Sequence, residues 1–204
     1  MNEHLLHGFH QRGYLPHLKH EGASYFVTFR LADSLPREVL DQLEIEVSAL
    51  RFPTSFSPAE IDAEKNRERR RRIEVFLDQG SGSCCLRIPE IGRLVADALR
   101  HFDGERYALE AWVVMPNHVH VLLQPAAVRT LGEIVKSWKQ FTSTRAKRLL
   151  ALPPGRFWQP ETYDHWVRDD ADRVRIVRYI HNNPVKADLC AVAEDWPWSS
   201  AAKK

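Results

Sequence analysis

The sequence predicts an α+β protein in which helices cover a small antiparallel sheet. Several short segments alternate apolar and polar residues, which is the period of a half-buried strand. Longer segments carry apolar residues at three- and four-residue spacing, which is the period of a helix that faces a core. The length of 204 residues corresponds to about one domain, and we interpret 1–204 as that domain.

The first half of the chain begins with one strand and continues with three helices. Prolines near the starts of two of the helical segments, Pro36 and Pro89, suit the first turn of a helix. The polar helix between them is supported by Glu68 four residues before Arg72, and we interpret 52–83 as a helical insertion. The predicted elements are a strand at 24–32 and helices at 36–50, 59–79 and 89–102.

The second half contains a hairpin, two helices and a further strand. Pro116 and Asn117 form the turn of the hairpin, and Pro184 is expected to end the last helix. The predicted elements are strands at 105–115, 118–123 and 163–168 and helices at 130–150 and 170–182. The resulting order, β-α-insertion-α-β-β-α-β-α, suits a ferredoxin-like antiparallel sheet covered by helices.

Composition excludes several classes of protein. No run approaches the ~20 apolar residues that cross a bilayer, so no membrane association is expected. The first 20 residues are rich in histidine and lack the apolar centre of a secretory signal. The three cysteines, Cys84, Cys85 and Cys190, argue against a disulfide framework and a structural zinc site. We therefore expect a cytoplasmic protein.

The distribution of charge is more informative than the net charge of +2. Residues 126–150 hold six cations against a single acid, Glu133. A second basic run spans 69–72. Clustered positive charge on a nearly neutral chain indicates an anionic partner, although such a run can equally be the solvated face of a helix. The six cations are Arg129, Lys136, Lys139, Arg145, Lys147 and Arg148.

The most distinctive local feature is the pair His118 and His120. Side chains alternate along a strand, so both imidazoles point to one side while Val119 and Val121 point to the other. Two imidazoles two residues apart can share one metal ion. A bare pair of this kind is also common by chance on the polar face of a strand, so it needs a third ligand and a reacting group.

The last predicted helix supplies candidates for both the third ligand and the reacting group. Val174, Val177 and Ile180 cluster on one side at helical spacing, and Tyr179 falls outside this apolar stripe. A tyrosine beside a metal ion can act as a nucleophile toward a phosphodiester. Asn183, one turn later, offers an oxygen ligand, although Pro184 is expected to take it out of the helix. An amphipathic tyrosine at the edge of the core is the alternative.

Five stretches in this order resemble the REP-associated tyrosine transposases, a branch of the single-tyrosine HUH transposases of bacterial insertion sequences. The resemblance covers nearly the whole chain except 52–83. The stretches are AWVVMPNHVH at 111–120, SWKQFT at 137–142, FWQP at 157–160, RYIHNNPVKA at 178–187 and DWPWSS at 195–200.

The resemblance implies a function for these residues. His118 and His120 would bind a divalent metal ion, Mg²⁺ or Mn²⁺, and Asn183 would be the third ligand. Tyr179 would attack a phosphodiester of single-stranded DNA and form a 5′-phosphotyrosine link with release of a 3′-OH. The resemblance thus implies a metal-dependent endonuclease and transposase that cleaves and rejoins DNA at repeated palindromic hairpins, acting as a monomer or a homodimer.

The DNA contacts and two competing functions are less defined by the sequence. Residues 8–20 and 196–204 are candidate recognition segments by resemblance. A regulator that binds hairpin DNA without cutting it is the alternative function, and a metal hydrolase with Glu110 as its base is a more distant one. Candidate phosphate contacts are Lys136, Lys139, Arg145, Lys147 and Arg175, whereas Trp138, Phe141, Trp158 and Trp196 are expected to pack in the core.

Overall fold

Four strands form one antiparallel sheet in the order β2-β3-β1-β4 in the computed structural model, which describes residues 22–203. This order and the alternation of strands and helices confirm the ferredoxin-like fold. The strands are β1 (Tyr25–Arg30), β2 (Tyr107–Val114), β3 (His118–Pro125) and β4 (Tyr163–Trp166). The helices are α1 (Arg37–Ser48), α2 (Pro58–Asp78), α3 (Pro89–Arg100), α4 (Leu131–Leu149) and α5 (Asp170–Lys186).

The sheet separates two cores. Alternate residues of β1 and β3, such as Val27 and Val121, pack with α3 and α4 on one face. On the other face, Phe26 and Leu122 pack with Ile176 and Ile180 of α5. Because side chains alternate along β3, His118 and His120 share the face of Leu122 and lie on the α5 side. The hairpin between β2 and β3 therefore aims both histidines at α5.

The predicted helical insertion at 52–83 contains one long helix, α2. Its start is fixed by a capping box, in which Ser57 and Glu60 each bond the backbone N–H of the other. Three of the four arginines in the basic run at 69–72 pair with carboxylates of α1 and α2: Arg69 with Glu44, Arg71 with Glu68, and Arg72 with Glu68 and Glu46. Arg70 donates to the hydroxyl of Tyr163. This run is therefore not a free cationic surface.

Three predictions about individual helices are wrong. Helix α5 does not end before Pro184 but continues to Lys186, because a proline in the last turn removes only one N–H donor. Val174 is 59% exposed, since the buried stripe of α5 runs through Ile176 and Ile180. Phe141 is 47% exposed, whereas Trp138 is buried as expected.

Within residues 22–203, the structure contains no helix with both the length and the apolar character that a bilayer span requires. The predicted recognition segment at 8–20 lies outside the described residues, as does Lys204.

Candidate active site

His118 and His120 lie at the start of β3, where the tight turn holds them against α5. The turn is closed by a hydrogen bond from the backbone N–H of Met115 to the carbonyl of His118, 2.9 Å long. His120 pairs with Thr28 of β1 on one side and Val113 of β2 on the other. Both imidazoles are at most 1% exposed, so the strand histidines do not lie on a solvated face.

Hydrogen bonds fix the orientation of both rings. The side-chain N–H of Asn117 donates to the carbonyl of Ser81 at 2.9 Å, which leaves its Oδ1 to accept from Nδ1 of His118 at 2.7 Å. Nδ1 of His120 is bonded to the hydroxyl of Thr28 at 2.7 Å, and a hydroxyl can donate or accept. Nε2 of His118 thus carries a lone pair, and Nε2 of His120 can do so when Thr28 accepts.

Burial keeps this pair uncharged. It lowers the pKa of His118 to about 3, with a smaller contribution from the positive charge of Lys186. Burial likewise holds the pKa of His120 well below its usual value, with contributions from His118 and Lys186. Neutral imidazole is the form that ligates metals, so at neutral pH both rings are ready to bind a cation.

The geometry of the pair fits a divalent metal ion. The two Nε2 atoms face one another at 3.1 Å. Metal–nitrogen bonds of about 2.1 Å at the right angles of an octahedral shell separate neighbouring ligands by about 3 Å. Both side-chain atoms of Asn183 are buried, and neither has a partner within hydrogen-bonding distance, although the amide is near enough to the Tyr179 hydroxyl to lower its pKa. An amide left this way is unusual and suits a ligand. No group of three His, Cys, Asp or Glu side chains within 22–203 could hold a metal ion.

Tyr179 projects from α5 toward the histidines. Its hydroxyl lies 3.4 Å from Nε2 of His120, and its ring packs edge-on against His120 and Phe26 at centroid distances of 5.2 and 5.8 Å. Asn183 follows one helical turn later on the same side. The structure therefore brings Tyr179 to His120, which faces His118, and places Asn183 one turn along α5 from Tyr179. These four residues are separated by up to 65 positions in the chain.

Helix α2 adds acidic residues that sequence reasoning missed. Burial raises the pKa of Tyr179 above its usual value, and the negative charges of Glu74 and Asp78 raise it further. Glu74 is itself largely buried, which raises its pKa, and its carboxylate interacts with the Tyr179 hydroxyl. The tyrosine is consequently a protonated phenol in this state. No short-range pattern could have revealed Glu74, because about 100 residues separate it from Tyr179.

The predicted DNA-contacting cations are not gathered at the tyrosine. Arg175 is paired with Asp172, and the ammonium of Lys139 donates to Thr162 Oγ1 and to the carbonyls of 159–161. Lys147 donates to the carbonyl of Gly155. Lys136 and Arg145 are exposed on α4, but the sheet separates α4 from α5. Their contact with DNA stays a prediction.

Two further histidines, two tryptophans and Glu110 have structural roles. His165 is bonded to Asp172 at 3.1 Å, and His181 to Ser200 at 2.9 Å. Trp158 and Trp196 are buried, as predicted. The carboxylate of Glu110 is engaged by Ser24 and Arg173 and lies at the bulge of β2, three residues before Val113, the partner of His120.

The sequence of this chain is similar to one protein family and to several individual proteins. Residues 91–183 match the family described as "Transposase IS200 like", and this range contains His118, His120, Tyr179 and Asn183. A provisionally named REP-associated tyrosine transposase of Haemophilus influenzae is 32% identical over 113 residues, which are 49% of this chain and 60% of that protein. The REP-associated tyrosine transposase of Escherichia coli is 31% identical over 102 residues, 46% of this chain and 54% of that protein.

The chain thus spans between half and two thirds of the length of the curated relatives it matches. The fold is similar to that of a solved REP-associated tyrosine transposase bound to a REP hairpin, with a TM-score of 0.52 and 18% sequence identity over 95% of this chain and 82% of that one. Together, these matches show that the chain is similar in sequence to REP-associated tyrosine transposases and to the IS200-like transposase family, and that it has a similar fold to the solved one.

Proposed function

We propose that this protein is a metal-dependent endonuclease and transposase that cleaves and rejoins single-stranded DNA at repeated palindromic hairpins. Tyr179 is the nucleophile. The observation that carries the proposal is the approach of its hydroxyl to within 3.4 Å of Nε2 of His120, beside two neutral, facing imidazoles. A buried phenol needs a polar partner, and here that partner is an imidazole that can ligate a metal ion.

The proposed cleavage is a transesterification. The phenolic oxygen of Tyr179 forms a bond to the phosphorus, and the bond from phosphorus to the 3′-oxygen breaks. The phenolic proton is lost and the departing 3′-oxygen gains one, so the products are a 5′-phosphotyrosine and a free 3′-OH. The covalent link conserves the phosphodiester bond, so a 3′-OH of another strand can reverse the step and rejoin DNA.

A divalent metal ion, Mg²⁺ or Mn²⁺, would be held by His118 and His120, with Asn183 as the proposed third ligand. When bound, it supplies Lewis-acid polarisation of the scissile phosphate. The chain's own contribution is to keep both imidazoles neutral and oriented through Asn117 and Thr28. Imidazole ligands favour Mn²⁺ over Mg²⁺, so we expect higher activity with Mn²⁺.

The substrate class follows from the relatives. The two curated relatives are REP-associated transposases by name, and the solved neighbour is bound to a REP hairpin. We extend that preference for hairpin DNA to this chain. Either a monomer or a homodimer is compatible with the proposal, because Tyr179 meets the histidines within one chain.

The test is a denaturing-gel assay on end-labelled, single-stranded hairpin DNA from beside the gene, with Mn²⁺ or Mg²⁺. Wild-type protein is expected to give a slow-migrating, protease-sensitive adduct, and Tyr179→Phe none. Salt-sensitive hairpin binding without an adduct in either metal would favour a binding regulator that does not cut. Cleavage by Tyr179→Phe would identify water or another residue as the nucleophile.

A further inference from the structure

We infer that Lys186 is a phosphate-binding residue of this site and that Asp78 of α2 occupies it when DNA is absent. The inference rests on the proposed function and goes beyond it, because it assigns a substrate contact to α5 and a competing contact to the insertion. The ligand is a phosphodiester of the DNA strand that approaches Tyr179.

One face of α2 lies against the site. Arg70, Glu74 and Asp78 are four residues apart and therefore project from the same side of the helix. Arg70 donates to the hydroxyl of Tyr163 at 2.7 Å and stacks over its ring at 4.9 Å. Glu74 interacts with Tyr179, and Asp78 accepts from Lys186 at 2.7 Å. Three successive turns of α2 thus meet the sheet edge, the tyrosine and Lys186.

Lys186 is well placed to meet the same phosphate as Tyr179. It follows Tyr179 by seven residues on α5, about two helical turns, so both project from one side. Its Nζ lies 6.0 Å from the centroid of the Tyr179 ring. Its charge also acts on both His118 and His120. The side chain is 53% exposed, so it can reach an incoming strand.

Negative charge near Tyr179 makes a cation necessary if a phosphate is to bind there. Glu74 and Asp78 place negative charge beside Tyr179, and a phosphate approaching them is repelled. Lys186 is already neutralised by Asp78 in this state. One oxygen of Asp78 bonds Lys186, while the other is buried without a hydrogen-bond partner. A phosphate can replace this carboxylate as the partner of Lys186, since an ammonium ion binds either anion as a point charge.

The exchange predicts opposite effects for the two partners. Lys186→Gln should weaken binding of a fluorescent oligothymidine about tenfold and reduce the slope of log affinity against log salt by about 0.7, the value for one phosphate contact on a single strand. Asp78→Asn should strengthen binding about threefold, because Lys186 is then free. Lys186→Arg should restore most of the affinity. A role of Lys186 in folding alone would not give gain and loss of binding from the two partners of one ion pair.

Matched controls lie on α3, on the other face of the sheet. Arg93→Gln and Asp97→Asn change the net charge by the same amounts at exposed positions, and each should change affinity less than twofold. In the double variant Asp78→Asn/Lys186→Gln, the gain from Asp78→Asn should disappear, because the two residues act through one contact. Thermal unfolding of each variant identifies any that fails to fold.

The same proteins are then assayed for the covalent adduct on single-stranded hairpin DNA with Mn²⁺. Absence of an adduct with wild-type protein would contradict the proposed function. A wild-type adduct, together with equal affinities for Lys186→Gln and Arg93→Gln, would leave that function intact and overturn the role of Lys186. Equal affinities for Asp78→Asn and Asp97→Asn would overturn the competing role of Asp78.

Discussion

The two faces of strand β3 are equally buried but are held to their helices in different ways. Val119, Val121 and Leu123 pack into an apolar core with α3 and α4. On the other face, Leu122 also packs against apolar residues of α5, but beside it the hydroxyl of Tyr179 lies 3.4 Å from Nε2 of His120, which in turn faces His118. Helix α5 is further tied to its surroundings by ion pairs, including Lys186 with Asp78 and Arg173 with Glu110.

This difference indicates that one face of β3 mainly stabilises the fold and the other mainly serves the reaction. Apolar packing is nondirectional and is lost only when buried area is lost. Hydrogen bonds and ion pairs can exchange partners with a ligand, since water, phosphate and metal ions offer alternatives. We therefore expect the α3–α4 face to dominate the free energy of unfolding and the α5 face to dominate cleavage.

The largest expected effect is on chemistry. His118→Ala should reduce the rate of adduct formation about a thousandfold, because loss of a metal ligand removes several kcal/mol of transition-state stabilisation. Calorimetric titration with Mn²⁺ should show loss of binding. The free energy of unfolding should fall by about 1–3 kcal/mol, because the buried Oδ1 of Asn117 loses its donor. If His118→Ala formed the adduct at the wild-type rate, the proposed role of the α5 face in cleavage would be contradicted.

The reciprocal variant lies on the other face of the same strand. Leu123→Ala should lower the free energy of unfolding by about 2–5 kcal/mol, as expected when a fully buried leucine leaves a cavity. Urea unfolding measures this loss. At a temperature where the variant is folded, its adduct formation should stay within about twofold of wild type. A large loss of activity in the folded variant would mean that the two faces are not separable.

A smaller effect is expected where α5 begins. Burial alone would raise the pKa of Asp172, but hydrogen bonds from Arg175, His165 and the backbone N–H of Arg168 lower it to about 2. The carboxylate then stabilises the fold above its unfolded pKa, and this stability is lost as the pH falls from about 4 through about 2. Asp172→Asn should cost about 1–2 kcal/mol at pH 7.

Urea unfolding between pH 2 and pH 5 compares the free energy of unfolding of wild type with that of Asp172→Asn. The stability of wild type should fall toward that of Asp172→Asn as the pH decreases. A difference between the two proteins that stays constant over this range would show that the ionised carboxylate does not anchor α5.

The smallest effect concerns the cations of α4. Lys136→Gln and Arg145→Gln should each weaken binding of hairpin DNA no more than about threefold, because the sheet separates them from Tyr179 and exposed charges are screened by salt. Fluorescence anisotropy over a range of salt concentrations measures this. A tenfold loss for either variant would place DNA on both faces of the sheet.

The sequence predicted most of the helices and strands but few of the contacts between residues that are distant in the chain. The prediction of β3 rested on alternating residues around His118 and His120, and the predictions of α3 and α4 rested on apolar residues at helical spacing. These three elements were confirmed. The end of α5 was missed because a proline can be accommodated in the last turn of a helix. Phe141 was misplaced because the apolar stripe of α4 is narrower than its composition indicates.

The acidic side of the site could not be predicted from periodicity. Glu74 and Asp78 belong to α2, whose polar sequence is typical of a solvated helix, and only the packing of α2 against α5 brings them to Tyr179. Thr28 and Asn117, which orient the two imidazoles, were likewise not identified as partners. Thr28 reaches His120 only through the pairing of β1 with β3.

The central claim is that Tyr179 forms the covalent bond to DNA, and mass spectrometry of the adduct tests it directly. After reaction with single-stranded hairpin DNA and Mn²⁺, followed by nuclease and trypsin, cleavage after Arg178 and Lys186 releases the peptide 179–186. We predict that this peptide carries a nucleotide 5′-phosphate on its tyrosine. Cleaved DNA with this peptide unmodified, or a nucleotide on a different peptide, would contradict the account.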